Sequence, residues 1–333
     1  MARPLSRSVA ALAVGTTLLV SGCGSSSSGG SDHADNPKAA LVAGVTQLGD
    51  ADILTTTFRL DASADDLVKI GDATNDPIPQ NTADAISSAR LVIETTKDKT
   101  FSLSAIDGDN TLVELRVIDK TVYVQGDLSA MFDLAGNPDA LDTVKAQAAQ
   151  LPNFVQAFVN GDWVSLDTQA LSGLAGQLGA TATSSPSADE GPKLLAELRN
   201  TIDKDVTVKE VGTDSEGTHL QLSGNTRQLA TDFQTAVRDT VPGGGTVADR
   251  LDASSAESRT ITLDAWVNDG ALSKLSLDLA QFDDKNELPQ GTSLPIVLTF
   301  EQSGHTIDVP TSATPIDLTQ LGTLMGAFTG QAG

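Results

Sequence analysis

Apolar and polar residues alternate along most of this chain with a period of two. In 53–62, Leu54, Thr56, Phe58, Leu60 and Ala62 share one side of an extended segment. Leu91 and Ile93 repeat the pattern. Phe101, Leu103 and Ala105 follow, and an Asp107-Gly108 turn leads into Val113, Leu115 and Val117. Val122 and Val124 flank Tyr123, and Gly161–Asp167 reads as another short strand. Further on, Val206 and Val208 precede Leu220 and Leu222. Ile261, Leu263, Ala265 and Val267 run through Asn268-Asp269-Gly270 to Leu275, Leu277 and Leu279, a strong hairpin signal. Ile296, Leu298 and Phe300 turn at Ser303-Gly304 toward Ile307 and Val309, which predicts a closing hairpin.

These segments amount to about a dozen short strands with one apolar side, so the fold class expected is α+β with a large antiparallel sheet. Helices are expected between them. Asn36 before Pro37 is a helix start, and Leu41, Val45 and Leu48 follow at helical spacing up to Gly49. Other helical stretches are predicted at 64–70, 127–134, 138–150, 153–159, 168–178, 192–203, 226–240 and 316–328. In 226–240, Leu229, Phe233 and Val237 form a stripe. The Thr181–Gly191 stretch reads as a surface loop or a boundary between domains. A loop is preferred, because the strands on both sides share one pattern.

The beginning of the chain follows another rule. Arg3 and Arg7 precede an apolar run, Val9–Val20, of about a dozen residues, the length of a signal peptide and too short to span a bilayer. Leu19-Val20-Ser21-Gly22-Cys23 then places small residues before the single cysteine of the chain. This is the pattern of a lipobox. The thiol of Cys23 receives diacylglycerol, and cleavage between Gly22 and Cys23 frees an amine that can be N-acylated. Residues 24–36, rich in Ser and Gly, form a flexible coil that reaches roughly 20 Å. The expectation is a signal peptide over 1–22, an anchor and linker over 23–36, and a folded part on the outer face of the cell membrane.

Charge and composition narrow the function. There are 21 Lys and Arg against 44 Asp and Glu, a net charge of −23. That excludes a phosphate-binding surface for nucleic acid, which needs clustered cations, and docking on anionic headgroups through a basic patch. Three histidines and one acylated cysteine cannot build a His/Cys metal site, and the motifs of zinc proteases, P-loops and serine hydrolases are missing. Asp107–Asn110 and Asp283–Glu287 read as a turn and a solvated loop. His219 and His305 alternate with apolar residues and are expected to face solvent. No catalytic residue, metal or dissociable cofactor is expected, and the protein is read as a non-enzyme.

The ordered set of motifs resembles one family, the actinobacterial LppX/LprAFG-type lipoproteins with a LolA/LolB-like fold. The motifs are the lipobox at Cys23, the helix 37–49 before a long strand, and Val117–Val124 as strand–turn–strand. Gly161–Leu166 after a helical stretch, Leu222-Ser223-Gly224 before a helix, Ala265–Gly270 with Leu275–Leu279, and a closing hairpin ending at Val309-Pro310 complete it. The resemblance spans residues 37–310. Extra length falls in 63–87, 127–160, 168–200 and the helical tail 311–333. It implies a curved antiparallel sheet of 11–12 strands with helices in its concave face, enclosing an apolar cavity for acyl chains of lipids or lipoglycans. On strand alternation, the wall candidates are Phe58, Leu60, Phe101, Leu103, Trp266, Leu277, Leu298 and Phe300. Two functions follow: a monomeric lipid-binding or lipid-transfer lipoprotein, or a non-catalytic partner of a membrane transporter or wall component whose core is filled.

Overall fold

The computed structural model describes residues 36–167, 200–240, 248, 257–283 and 287–321. Within them the architecture is α+β, with twelve strands in one sheet. In chain order the strands are β1 (Ile53–Leu60), β2 (Ala89–Thr96), β3 (Phe101–Asp107), β4 (Asn110–Ile118), β5 (Thr121–Gly126) and β6 (Val164–Asp167). They continue as β7 (Val206–Asp214), β8 (Gly217–Asn225), β9 (Thr260–Asn268), β10 (Ala271–Asp278), β11 (Pro295–Glu301) and β12 (Thr314–Pro315). The order across the sheet is β12-β6-β5-β4-β3-β2-β1-β11-β10-β9-β8-β7. The two-residue β12 runs parallel to β6. The helices are α1 (Pro37–Gly49), α2 (Ala64–Thr74), α3 (Gln80–Ser88), α4 (Leu128–Leu134), α5 (Ala140–Ala148), α6 (Asn153–Val159) and α7 (Thr226–Thr240). Residues 200–205 are also helical.

The chain divides into two compact units. The first takes the chain up to Leu54, then Thr183–Gln281 and Val297–Gln302. Its core is organised by α1. Asn36 Oδ1 accepts a hydrogen bond from Ala39 N at 3.1 Å, and Pro37 occupies the first turn, where no amide is needed. Leu41 and Leu48 are then buried against Leu220, Leu222, Ala265, Val267, Leu272 and Phe300. Each contributes roughly 1.5–3 kcal/mol by leaving water. Gly44 allows the close approach: a Cβ there would lie 2.9 Å from Leu272 N in β10. Cross-strand register aligns the apolar partners, with Leu220 opposite Ala265 and Leu222 opposite Leu263. In β10 a bulge between Leu272 and Lys274 lets both Leu272 and Leu275 join this core. The hairpin between β9 and β10 turns through Asp269 and Gly270, both left-handed at φ 50° and 82°, as the sequence predicts.

The second unit takes Thr55–Ala182, Phe282–Ile296 and the chain from Ser303. Hairpins join β2 to β3, β3 to β4 and β4 to β5, with one register shift between Ala105 and Ile106 in the β3–β4 pair. Ser63 caps α2 by accepting from Asp66 N, and Asn75 ends it in the left-handed conformation. Asp127 caps α4 by accepting from Ala130 N at 3.0 Å.

The structure corrects several expectations. The hairpin through Ser303-Gly304 does not form: residues 303–310 carry no strand. Two apolar residues two apart are a weak strand signal, and here one is buried while Val309 is exposed. A side chain holds the segment instead of a ladder, since Arg116 Nη1 donates to the Asp308 carbonyl at 2.8 Å. The helix α3 was not foreseen, because its sequence is polar apart from Ala83, Ala85 and Ile86. The predicted helix 168–178, the Thr181–Gly191 stretch, and most of 192–203 and 316–328 lie outside the described residues. So do Gly22 and Cys23.

Candidate functional site

Strand register in the second unit builds an apolar face in three rows. Thr95, Phe101, Val117, Val122 and Leu166 form the first row. Ile93, Leu103, Leu115, Val124 and Val164 form the second. Leu91, Ala105, Val113 and Gly126 form the third, where the side chains are smaller. The neighbours sit directly opposite one another, so the rows make one continuous surface. Its burial is incomplete. Among the apolar residues of β2–β5 in these rows only Ile93, at 7 %, is buried; Leu91, Phe101, Leu103, Ala105, Val113, Leu115, Val117, Val122 and Val124 are half-buried.

Helices lie over parts of this surface. α6 packs on β5, β6 and β12, and its Phe154 and Ala157 close over Val164 together with Val124, Phe158, Ile316 and Leu321. α3 touches β3, and α4 touches β4. The helix α4 is unusual: it carries Leu128, Ala130, Met131, Phe132 and Leu134, and buries none of them. An under-buried apolar helix therefore lies beside an under-buried apolar sheet face. Such an arrangement normally marks a binding surface. In the third row, a Cβ on Gly126 would lie 2.9 Å from Phe158 Cζ and 3.6 Å from Met131 Cε. The missing side chain lets the two helices send these residues down onto β5.

The opposite side of the strands is mostly polar, with Val92, Ile106, Ile118 and Tyr123 among its residues. Glu114 accepts from Arg116 Nε at 2.6 Å, and the Arg116 guanidinium lies 4.7 Å from the centre of the Trp163 ring. At the third row is a polar cleft of about 580 Å³, lined by Asn110, Thr111, Gln125, Gly126, Asp127 and Lys145 among others.

The sequence-derived wall candidates separate into three groups. Phe101 and Leu103 sit in the first two rows of the half-covered face. Phe58 and Leu60, both half-buried, share the side of β1 opposite Thr55, whose Oγ1 lies 3.5 Å from the Glu94 carboxylate on the polar side of β2. They therefore extend the same face. Leu298 and Phe300 instead pack into the closed core under α1, and Leu277 is buried. Trp266 is a correction. It alternates with the buried Ala265 and Val267 and so points to the other side of β9. There its ring stacks on His219 at 4.4 Å, with Lys274 Nζ 4.3 Å from its centre, and its Nε1 donates to Asp214 at 3.0 Å. His219 Nε2 meets Asp264 at 2.8 Å, so this histidine belongs to a packed polar cluster and is only partly open to solvent. The Trp266 hydrogen bond, followed by the backbone amide of Glu216, holds the Asp214 carboxyl below its ordinary pKa.

Sequence reading did not find Met131, Phe158 or Gly126. The helix over 153–159 is predicted from the sequence, but which strand it meets depends on non-local register. No group of three His, Cys, Asp or Glu residues suited to a metal ion occurs among the described residues. No described helix is long and apolar enough to cross a membrane.

No protein-family model matches the chain. No curated protein matches it significantly. Among solved structures, the chain is similar to the lipoprotein LppX of Mycobacterium tuberculosis, at 13 % identity and a TM-score of 0.33, over 84 % of this chain and 100 % of that one. It is also similar to LprF of Mycobacterium bovis, at 10 % identity and a TM-score of 0.36, over 84 % and 98 % of the two chains. At these scores neither match assigns a role to any residue here.

Proposed function

We propose that this protein is an extracytoplasmic lipoprotein, anchored through an acylated Cys23, whose second unit binds the acyl chains of a lipid. The observation that supports this reading is the apolar face of β2–β5, which is half-buried under helices that leave apolar side chains of their own unsatisfied. Phe58, Leu60, Phe101 and Leu103 would line the binding surface with Leu115 and Val117. Binding would be driven by apolar burial at roughly 0.8 kcal/mol per methylene, and no catalytic group is required. The short apolar run, the small residues before Cys23 and the Ser/Gly linker support the anchored, outward-facing location.

The test is to produce the mature chain from residue 24 without the anchor, purify it natively, extract it with organic solvent and weigh the extract by mass spectrometry. A near-stoichiometric, non-covalent acyl lipid is expected. An empty extract, combined with no uptake of lipid from added vesicles, would overturn the proposal.

A further inference from the structure

The third row of the apolar face differs from the other two. Where the first rows present Phe101 and Val117, then Leu103 and Leu115, the third presents Ala105, Val113 and Gly126. Small side chains on the sheet would leave space, but Phe158 from α6 and Met131 from α4 come down onto Gly126 and occupy it. At this row the surroundings change. The β3–β4 turn, the start of α4 and the end of α6 line the polar cleft, with Asn110, Asp127 and Asn160 among its walls. An acyl chain running along the face toward the third row would therefore meet an aromatic ring and a thioether, and behind them a polar wall that cannot repay its desolvation.

We infer that the contact of Phe158 and Met131 over Gly126 is the end-stop of the acyl-binding face and sets the longest chain the protein accepts. The inference rests on the acyl-binding reading above. Gly126 is what makes the stop possible, since any side chain at this position collides with the Phe158 ring. Phe158 is the larger barrier, and Met131 the adaptable one.

Saturated free fatty acids of increasing length serve as the probe, with affinity measured on the mature chain. Each added methylene should tighten binding about fourfold until the chain reaches the stop, after which affinity levels off. In Phe158→Ala the levelling-off should move to a longer chain than in the native protein. Phe158→Leu, a milder change to the same ring, should move it less, and it keeps the test open if the alanine variant unfolds. A levelling-off at the same length in native protein and both folded variants would overturn the end-stop. Binding of no fatty acid by native protein, with no lipid in the native extract, would overturn the acyl-binding reading itself.

Discussion

The two units use the same raw material, short antiparallel strands with one apolar side, and finish it differently. In the first unit the capped helix α1 packs closely on the apolar side, joined by Ile202 of the helical segment 200–205. Leu220 and Ala265 are 0 % exposed, and Leu41 is 2 % exposed. In the second unit the equivalent central positions, Leu103 and Leu115, remain half-buried although several short helices lie nearby. Helix length and fit make the difference. The helix α1 has thirteen residues and a glycine that lets it touch the β10 backbone, whereas α4 and α6 have seven each. Short helices cover a face in patches. One unit closes its apolar side, and the other leaves part of it uncovered.

Mutations at matched positions should separate these roles. The largest effect is expected for Leu220→Ala, which opens a cavity in the closed core and should cost about 3 kcal/mol in denaturant unfolding. Arg116→Met comes next. It leaves Glu114 without its cation and the Asp308 carbonyl without its donor, at a cost of about 1–2 kcal/mol. Faster amide exchange around Ile307 would show that this segment depends on the arginine. Leu103→Ala should cost only about 1 kcal/mol, because the side chain is incompletely buried to begin with. If Leu103→Ala were as destabilising as Leu220→Ala, the contrast between the units would fail.

The smallest effect concerns Asp214. Its folded pKa is depressed, so it contributes stability at pH values above the ordinary carboxylate pKa and loses that contribution as pH falls through the folded value. Trp266→Phe removes the indole N–H that is the leading cause. The Asp214 carboxyl followed by NMR should then titrate closer to its ordinary value, and the acid-side loss of stability should become shallower. An unchanged titration would show that the backbone amide of Glu216 dominates.

Much of the fold was legible because its determinants are local. The alternation in 101–105 and 113–117 fixes which side is apolar, and Asn268-Asp269-Gly270 fixes a hairpin. The same logic places Trp266 on the polar side, between Ala265 and Val267, so its choice as a wall residue does not follow from the alternation. The closed and the half-covered faces could not be told apart in the sequence, because Leu103 and Leu220 sit in similar alternating strings. Their difference comes from which helix lands on which strand, and that is set by non-local packing. Gly126 carried no local signal, since its use lies in the ring of Phe158 above it.

The most direct test is photocrosslinking with a fatty acid that bears a diazirine in its chain, followed by peptide mapping of the labelled mature protein. Labels concentrated on β3 and β4, at Phe101, Leu103, Leu115 and Val117, and competed away by unlabelled fatty acid, are the predicted result. Labels scattered over both units, or confined to peptides that carry Leu220 and Ala265, would contradict the assignment of acyl binding to the second unit.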